Sequence, residues 1–144
     1  MSKSPLPTRA DYRVFYPITT RWSDNDIYGH VNNVTYYSYF DTAANRYLIE
    51  EGGLDIEDGH IVGFVVNSGC EYHAPLTYPE DIEAGLRVDR LGNSSVQYGI
   101  AIFKAGEEQA AAHGHFVHVF VERAANRSVP IPANLRTALE RLLD

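Results

Sequence analysis

Alternating apolar and polar residues predict a β-sheet in the second half of the chain. Between residues 81 and 91, four apolar side chains alternate with charged ones: Ile82, Ala84, Leu86 and Val88. This period of two is typical of a strand with one buried face. Similar patterns predict strands over 12–23, 61–73, 95–103 and 111–122. Glycine-containing turns at 91–93 and 105–106 join the later strands as hairpins, so the sheet is expected to be antiparallel.

Two of the predicted strands carry features that bear on packing. Pro17 cannot donate a backbone hydrogen bond, which indicates an edge position or a bulge in the first strand. In the second strand five residues share one parity and are expected to face one side: Val62, Phe64, Val66, Cys70 and Tyr72. The opposite parity of the sheet is also partly apolar, and this favours association of subunits.

Helical spacing appears in two segments. Apolar side chains recur three and four residues apart from about Asn33 to Glu51, with Asn32 or Asn33 as the N-cap and Gly52-Gly53 as the end. A short helix is predicted over 132–143. The whole pattern predicts one α+β domain over 1–144, with a long helix on one face of a sheet of about five strands. Residues 1–10 are expected to be a flexible N-terminal segment.

Composition narrows the classes of partner. The net charge is −7 and only two of the twelve basic residues are lysine, which argues against a nucleic-acid partner. No apolar run approaches the roughly 20 residues of a membrane span, and the N-terminus lacks a signal-peptide pattern. A cytoplasmic location and no membrane partner are therefore expected. The single cysteine, Cys70, is predicted to be a buried and unreactive thiol.

Residues 24–33, DNDIYGHVNN, concentrate ionisable groups between a strand and a helix start. A calcium-binding loop is excluded, because Tyr28 and Thr35 occupy positions that need oxygen ligands. An aspartyl-phosphate enzyme is disfavoured, because the preceding TTRWS segment is too polar for a buried parallel strand. Asp24 and Asn32 are interpreted as scaffold for the turn. Gly29 is expected to adopt a positive φ.

The run RWSDNDIYGHVNNVTYYSYFDTA resembles the signature of the hotdog-fold acyl-CoA thioesterases. That group includes 4-hydroxybenzoyl-CoA thioesterase and long-chain acyl-CoA thioesterases. The resemblance rests on Arg21-Trp22, two aspartates, Gly29-His30-Val31-Asn32-Asn33 and the aromatic helix that follows. The order of elements is similar over nearly the whole chain. The resemblance implies a hotdog fold, in which an antiparallel sheet wraps a long central helix.

The resemblance also implies roles for three residues of this loop. Asp26 falls on the family's catalytic carboxylate, which acts either as a nucleophile or as a general base. The backbone N–H of Asn33 falls on the donor that polarises the thioester carbonyl, at a helix start where negative charge is stabilised. His30 is interpreted as a group that orients Asp26 or acts electrostatically. A role confined to hydrogen bonding within the loop remains the alternative for His30.

Substrate contacts are expected from two further regions. Tyr37 belongs to an aromatic stripe that suggests an apolar acyl pocket, while Arg90 and Ser94 match the family's coenzyme A-binding hairpin. No cofactor or metal is expected. In particular, His113, His115 and His118 are not expected to converge on zinc, because they fall on two faces of one strand. They are interpreted as structural histidines or as part of a tetramer interface.

The resemblance therefore implies an acyl-CoA thioesterase that acts as a homodimer or homotetramer. An acyl-carrier-protein thioester is an alternative substrate. A non-catalytic acyl-thioester binding protein and a hotdog dehydratase of 3-hydroxyacyl thioesters are the rival functions.

Overall fold

The helices and long strands follow the predicted order along the chain. The structure, a computed structural model, describes residues 6–57 and 59–143. Short 3₁₀ turns at Arg9–Asp11 and Trp22–Asp24 flank the first strand. The elements are β1 (Val14–Ile18), α1 (Thr35–Glu50), β2 (Ile61–Tyr72), β3 (Ile82–Leu91), β4 (Ser95–Lys104), β5 (Ala112–Glu122), β6 (Arg127–Ser128) and α2 (Ala133–Glu140).

The strands form one antiparallel sheet in the order β1, β3, β4, β5, β2. The two-residue β6, which the pattern did not predict, pairs with β5. Pro17 lies in β1 opposite Glu83 of β3, so its missing donor faces the open edge of the sheet. This confirms the edge position that the proline indicated.

The core lies between α1 and one face of the sheet. Most of the buried side chains of α1 are aromatic or small. Tyr36, Phe40 and Leu48 are among the buried residues of this helix. The alternation in β3 is confirmed, because Ile82, Ala84, Leu86 and Val88 are all buried. The α+β prediction of a long helix against an antiparallel sheet is therefore confirmed. In the part of the chain that the structure describes, no helix is long and apolar enough to cross a membrane.

Several predicted boundaries are wrong near the loop of residues 24–33. The first strand covers only Val14–Ile18 rather than 12–23, because Trp22–Asp24 turns into a 3₁₀ segment. Helix α1 begins at Thr35 instead of Asn33. The predicted N-cap is also wrong, because Val34 occupies that position and its side chain makes no capping bond. The Asn32 side-chain oxygen instead accepts the Val34 N–H at 3.0 Å, in a local turn just before the helix. The terminal helix is also shorter than predicted.

A β-bulge in β2 overturns the predicted parity of that strand. The register with β5 shifts between Val65 and Asn67, and one inserted residue reverses which side chains face the core. Cys70 lies opposite Gly114 and packs against the core, as predicted for its half of the strand. Phe64 pairs with Val119 on the other face and is exposed, contrary to the prediction.

The first described residues are bound to the sheet region. Thr8 forms an isolated bridge with Gln109, and Arg9 makes an ion pair with Glu83 at 2.8 Å. Residues 8 and 9 of the segment 1–10, which is expected to be flexible, therefore contact the sheet region. Residues 1–5 of that segment lie outside the described residues.

His118 lies in the core, on the opposite face of β5 from His113 and His115. It is fully buried, and its Nδ1 lies 3.1 Å from the Tyr98 hydroxyl. Among the described residues its Nε2 has no hydrogen-bond partner. The prediction that the three histidines occupy two faces is confirmed.

Acid is expected to destabilise the fold through His118. Burial lowers the pKa of His118 from 6.5 to about 4, so below 6.5 the unfolded chain binds a proton that the folded chain does not. Stability should fall by up to about 3 kcal/mol as the pH drops from the unfolded to the folded pKa. Urea unfolding across this pH window measures the effect. His118→Leu should flatten the dependence, and an equally steep loss in that variant would contradict the assignment to His118.

Candidate active site

The loop of residues 24–33 closes on itself through main-chain bonds. The Asp26 N–H donates to the His30 carbonyl oxygen at 2.8 Å, and the Gly29 N–H donates to the Asp26 carbonyl oxygen at 3.1 Å. Gly29 has a φ of 81°, a conformation that other residues rarely adopt. The predicted positive φ is confirmed, and the backbones of Asp26 and His30 lie side by side at the neck of the loop.

Asp24 anchors one side of this loop. Its carboxylate is 1 % exposed and accepts hydrogen bonds from the Tyr39 hydroxyl at 2.8 Å and the Arg21 N–H at 2.9 Å. Burial would raise the pKa of Asp24, but the bonds from Tyr39 and Arg21 outweigh it and lower that pKa. The Asp24 carbonyl oxygen accepts the Asn32 N–H at 2.8 Å. The geometry agrees with the interpretation of Asp24 and Asn32 as scaffold.

The other side of the loop is held by the segment that follows Pro75. The Val31 N–H donates to the Leu76 carbonyl oxygen at 2.7 Å. The Thr77 hydroxyl donates to the Gly29 carbonyl oxygen at 2.6 Å. The sequence pattern did not predict this second anchor. Contacts between residues almost 50 positions apart leave no local signal in the sequence.

The backbone N–H of Asn33 stands out among its neighbours. The Asn32 N–H donates to Asp24, the Val34 N–H donates to the Asn32 side chain, and the Thr35 N–H donates to the Asn32 carbonyl oxygen at 2.9 Å. Across residues 6–57 and 59–143, no acceptor lies within hydrogen-bonding reach of the Asn33 N–H. An exposed, unpaired donor just before α1 is suited to bind developing negative charge.

The Asp26 carboxylate is partly exposed. Its Oδ1 accepts the Tyr28 N–H at 2.8 Å, which fixes the side chain in a local turn. No other hydrogen bond to this carboxylate occurs within the described part of the chain, so Oδ2 is open to a ligand or to water. The His30 ring is exposed and makes no hydrogen bond to Asp26 among these residues. The hydrogen bond observed between His30 and Asp26 therefore joins their backbones, from the Asp26 N–H to the His30 carbonyl oxygen.

The two predicted catalytic groups open onto neighbouring depressions. Asp26 lines a depression of about 720 Å³ that also exposes Trp22, Ile27 and Tyr78. Asn33 and His30 line a separate one of about 310 Å³, together with Val31, Tyr36, Tyr72, His73, Ala74 and Pro75. A single chain thus brings Asp26, His30 and Asn33 onto one loop but leaves their openings unjoined.

Aromatic residues beside Asp26 were missed as site residues. Trp22 is 76 % exposed, and its ring meets Tyr78 edge-on at 6.1 Å. The sequence pattern placed Trp22 in a strand, where an aromatic side chain reads as core. The position of Trp22, two residues before the start of the polar loop at Asp24, was the sequence signal that could have indicated its place beside the site.

The predicted substrate-binding residues are dispersed. Tyr37 is half-buried, and its ring packs edge-on against Phe40 at 6.1 Å. Arg90 is exposed near the far end of β3, roughly 26 Å along the strand from Ile82 at about 3.3 Å per residue. Ser94 lies in the adjoining turn, where its carbonyl oxygen accepts the Phe120 N–H at 2.9 Å. Neither Arg90 nor Ser94 lines the depression at Asp26 or the one at Asn33.

Cys70 is less buried than predicted. Its side chain is half-buried in β2. Burial raises the pKa of Cys70 to about 11, so the thiol is protonated at neutral pH and a poor nucleophile.

Comparisons with known proteins agree with this fold and motif. A family model described as the thioesterase-like superfamily matches residues 20–139, which include the whole loop and both helices up to Leu139. The crystal structure of the PA5185 protein from Pseudomonas aeruginosa strain PAO1 is 61 % identical. It covers 97 % of this chain and 98 % of its own, with a TM-score of 0.96.

Two more distant structures are also similar. The PA2801 protein from Pseudomonas aeruginosa is 33 % identical with a TM-score of 0.80, covering 86 % of this chain and 95 % of its own. The BH1999 gentisyl-coenzyme A thioesterase is 25 % identical with a TM-score of 0.78, covering 88 % of this chain and 99 % of its own. The chain therefore belongs to the thioesterase-like superfamily and has the hotdog fold of these structures.

Proposed function

We propose that this protein hydrolyses acyl-CoA thioesters to a free acid and coenzyme A. The observation that carries the proposal is the unpaired Asn33 N–H, held just before α1 on the same loop as the open carboxylate of Asp26. Thioester hydrolysis needs both an activated nucleophile and a donor for the oxyanion. Membership of a thioesterase-like superfamily supports the same chemistry.

Asp26 would act in one of two ways. As a nucleophile, its free oxygen attacks the thioester carbon, coenzyme A leaves as a thiolate, and water then hydrolyses the mixed anhydride. As a general base, it removes a proton from a water molecule that attacks the same carbon. In both routes the carbonyl oxygen becomes negatively charged and accepts the Asn33 N–H. The exposed His30 ring would favour the departing thiolate electrostatically.

A panel of thioesters tests this proposal against its rivals. Acyl-CoA and acyl-carrier-protein substrates with short, long and aromatic acyl groups are incubated with the protein, and released thiol is followed. Catalytic thiol release supports a thioesterase and identifies the acyl group and carrier. Binding without turnover would indicate an acyl-thioester binding protein. Hydration or dehydration without thiol release would indicate a dehydratase.

We also propose that the working form is an assembly of at least two subunits. Strand β2 pairs with β5 on one side, and no strand among the described residues pairs with its other edge. Phe64, Val65 and Val66 are exposed there. An open, apolar edge of this kind favours pairing with another strand, and a second copy would cover it. A neighbouring subunit is also the means by which Arg90 and Ser94 could reach a coenzyme A bound at Asp26.

Val66→Lys is expected to weaken the assembly. The residue is 59 % exposed at the bulge of β2, so a lysine there costs the folded subunit little but places a charge at the proposed contact. Sedimentation analysis should show a dimer or tetramer for the unmodified protein and smaller species for the variant. Ile56→Lys is the matched control, because Ile56 is 57 % exposed outside β2. Unchanged assembly in Val66→Lys would contradict the proposed contact.

A further inference from the structure

The carbonyl oxygen of Asn33 receives an unusual partner. Inside a helix such an oxygen accepts the N–H four residues later, but here the first turn is tight. The Tyr36 N–H reaches the Asn33 oxygen only at 3.4 Å, and the Tyr37 N–H donates to Val34 instead. The Tyr72 hydroxyl donates to the same oxygen at 2.9 Å. The shorter bond to Asn33 therefore comes from a side chain in β2.

Tyr72 is itself held in place. It is the last residue of β2 and pairs with Ala112 of β5. Its ring meets the buried Tyr36 ring edge-on, with centroids 5.0 Å apart and planes at 86°. Burial, with Cys70 and Tyr37 nearby, raises the pKa of Tyr72, so its hydroxyl remains a donor at neutral pH. The bond thus links the rigid sheet to the start of α1.

The bond from Tyr72 lies next to the proposed oxyanion donor, the Asn33 N–H. The N–H and the carbonyl oxygen of Asn33 belong to adjacent peptide groups, and Tyr72 and Asn33 line the same depression. Asn32 is fixed through Asp24, and Val34 through the Asn32 side chain. Tyr72 adds the remaining anchor, on Asn33 itself.

We infer that Tyr72 is a positioning residue, whose hydroxyl bond to the Asn33 carbonyl oxygen aims the Asn33 N–H at the substrate oxyanion. The inference rests on the proposed thioesterase function. An oxyanion donor contributes only when it lies at hydrogen-bonding distance from the charge that develops in the transition state. A small displacement of the donor is therefore costly for the chemical step.

Tyr72→Phe tests the inference, because it removes the hydroxyl and keeps the ring. The variant should lose about 10-fold in kcat with KM little changed, since the lost effect belongs to the transition state. Tyr47→Phe is the matched control. The Tyr47 hydroxyl also donates to a main-chain carbonyl oxygen, that of Ala138 at 2.5 Å, but at the other end of α1. It should lose stability without a comparable loss of kcat.

A measurement independent of activity separates this inference from the proposed function. In nuclear magnetic resonance spectra, Tyr72→Phe should shift the carbonyl carbon of Asn33 and speed hydrogen exchange at the Val34 N–H. Unchanged signals, wild-type kcat, or an equal loss of kcat in Tyr47→Phe would each overturn the inference. If the wild-type protein hydrolyses no thioester, the proposed function fails, and the spectra still decide whether Tyr72 holds Asn33.

Discussion

Asp26→Asn is expected to reduce thioester hydrolysis by about 10²–10⁴-fold. An amide has nearly the shape of the carboxylate but can neither attack the thioester carbon nor accept a proton from water. Its side-chain oxygen can still accept the Tyr28 N–H, now 2.8 Å from Asp26 Oδ1, so the turn should persist. The rate of thiol release at saturating substrate measures the loss, and thermal unfolding checks the fold.

Asp81→Asn is the matched control for this change. Asp81 is exposed, lies a few residues after the Leu76-Thr77 segment that holds the loop, and carries the same charge as Asp26. It should retain wild-type activity, which separates the loss of a catalytic group from the loss of one negative charge. Full activity in Asp26→Asn would remove Asp26 from the mechanism.

Asn33→Pro and Asn33→Ala should differ sharply in activity. Proline has no backbone N–H, whereas alanine keeps it and removes only an exposed side chain. The first turn of a helix accepts proline well, and the Asn33 N–H makes no bond that the described fold would lose. Hydrolysis should fall about 10²–10³-fold in Asn33→Pro, the usual cost of one oxyanion donor.

The comparison between these two variants isolates the main-chain donor. Asn33→Ala should retain most of the wild-type rate, and both variants should unfold at similar temperatures. Equal activity in folded Asn33→Pro and Asn33→Ala would show that the Asn33 N–H does not bind the oxyanion.

Elements with one buried face could be predicted from the sequence. The alternation in β3 and the helical spacing around Phe40 and Leu48 follow burial directly, because one face of each element packs in the core. The bulge at Val66 could not be predicted, since an inserted residue leaves no mark on the pattern of apolar positions. That single residue reversed the predicted side of Phe64.

In the loop of residues 24–33, contacts between sequence neighbours could be predicted and contacts with distant segments could not. The turn at Gly29 and the bond from the Val34 N–H to the Asn32 side chain are local, and the residue types alone indicated turns here. The anchoring bonds of Thr77 and Tyr72 join segments distant in sequence, so the pattern around residues 24–33 carried no trace of them. The pairing of Asp26 with His30 through their backbones also depends on the folded loop.

Hydrolysis in water enriched in heavy oxygen, run with wild-type and Asp26→Asn proteins side by side, tests the central claim most directly. After many turnovers the wild-type protein should yield coenzyme A and a free acid that carries solvent oxygen, and Asp26→Asn should yield almost none. Labelled acid formed by Asp26→Asn at the wild-type rate would contradict the account. So would thiol release by the wild-type protein with no solvent oxygen in the acid.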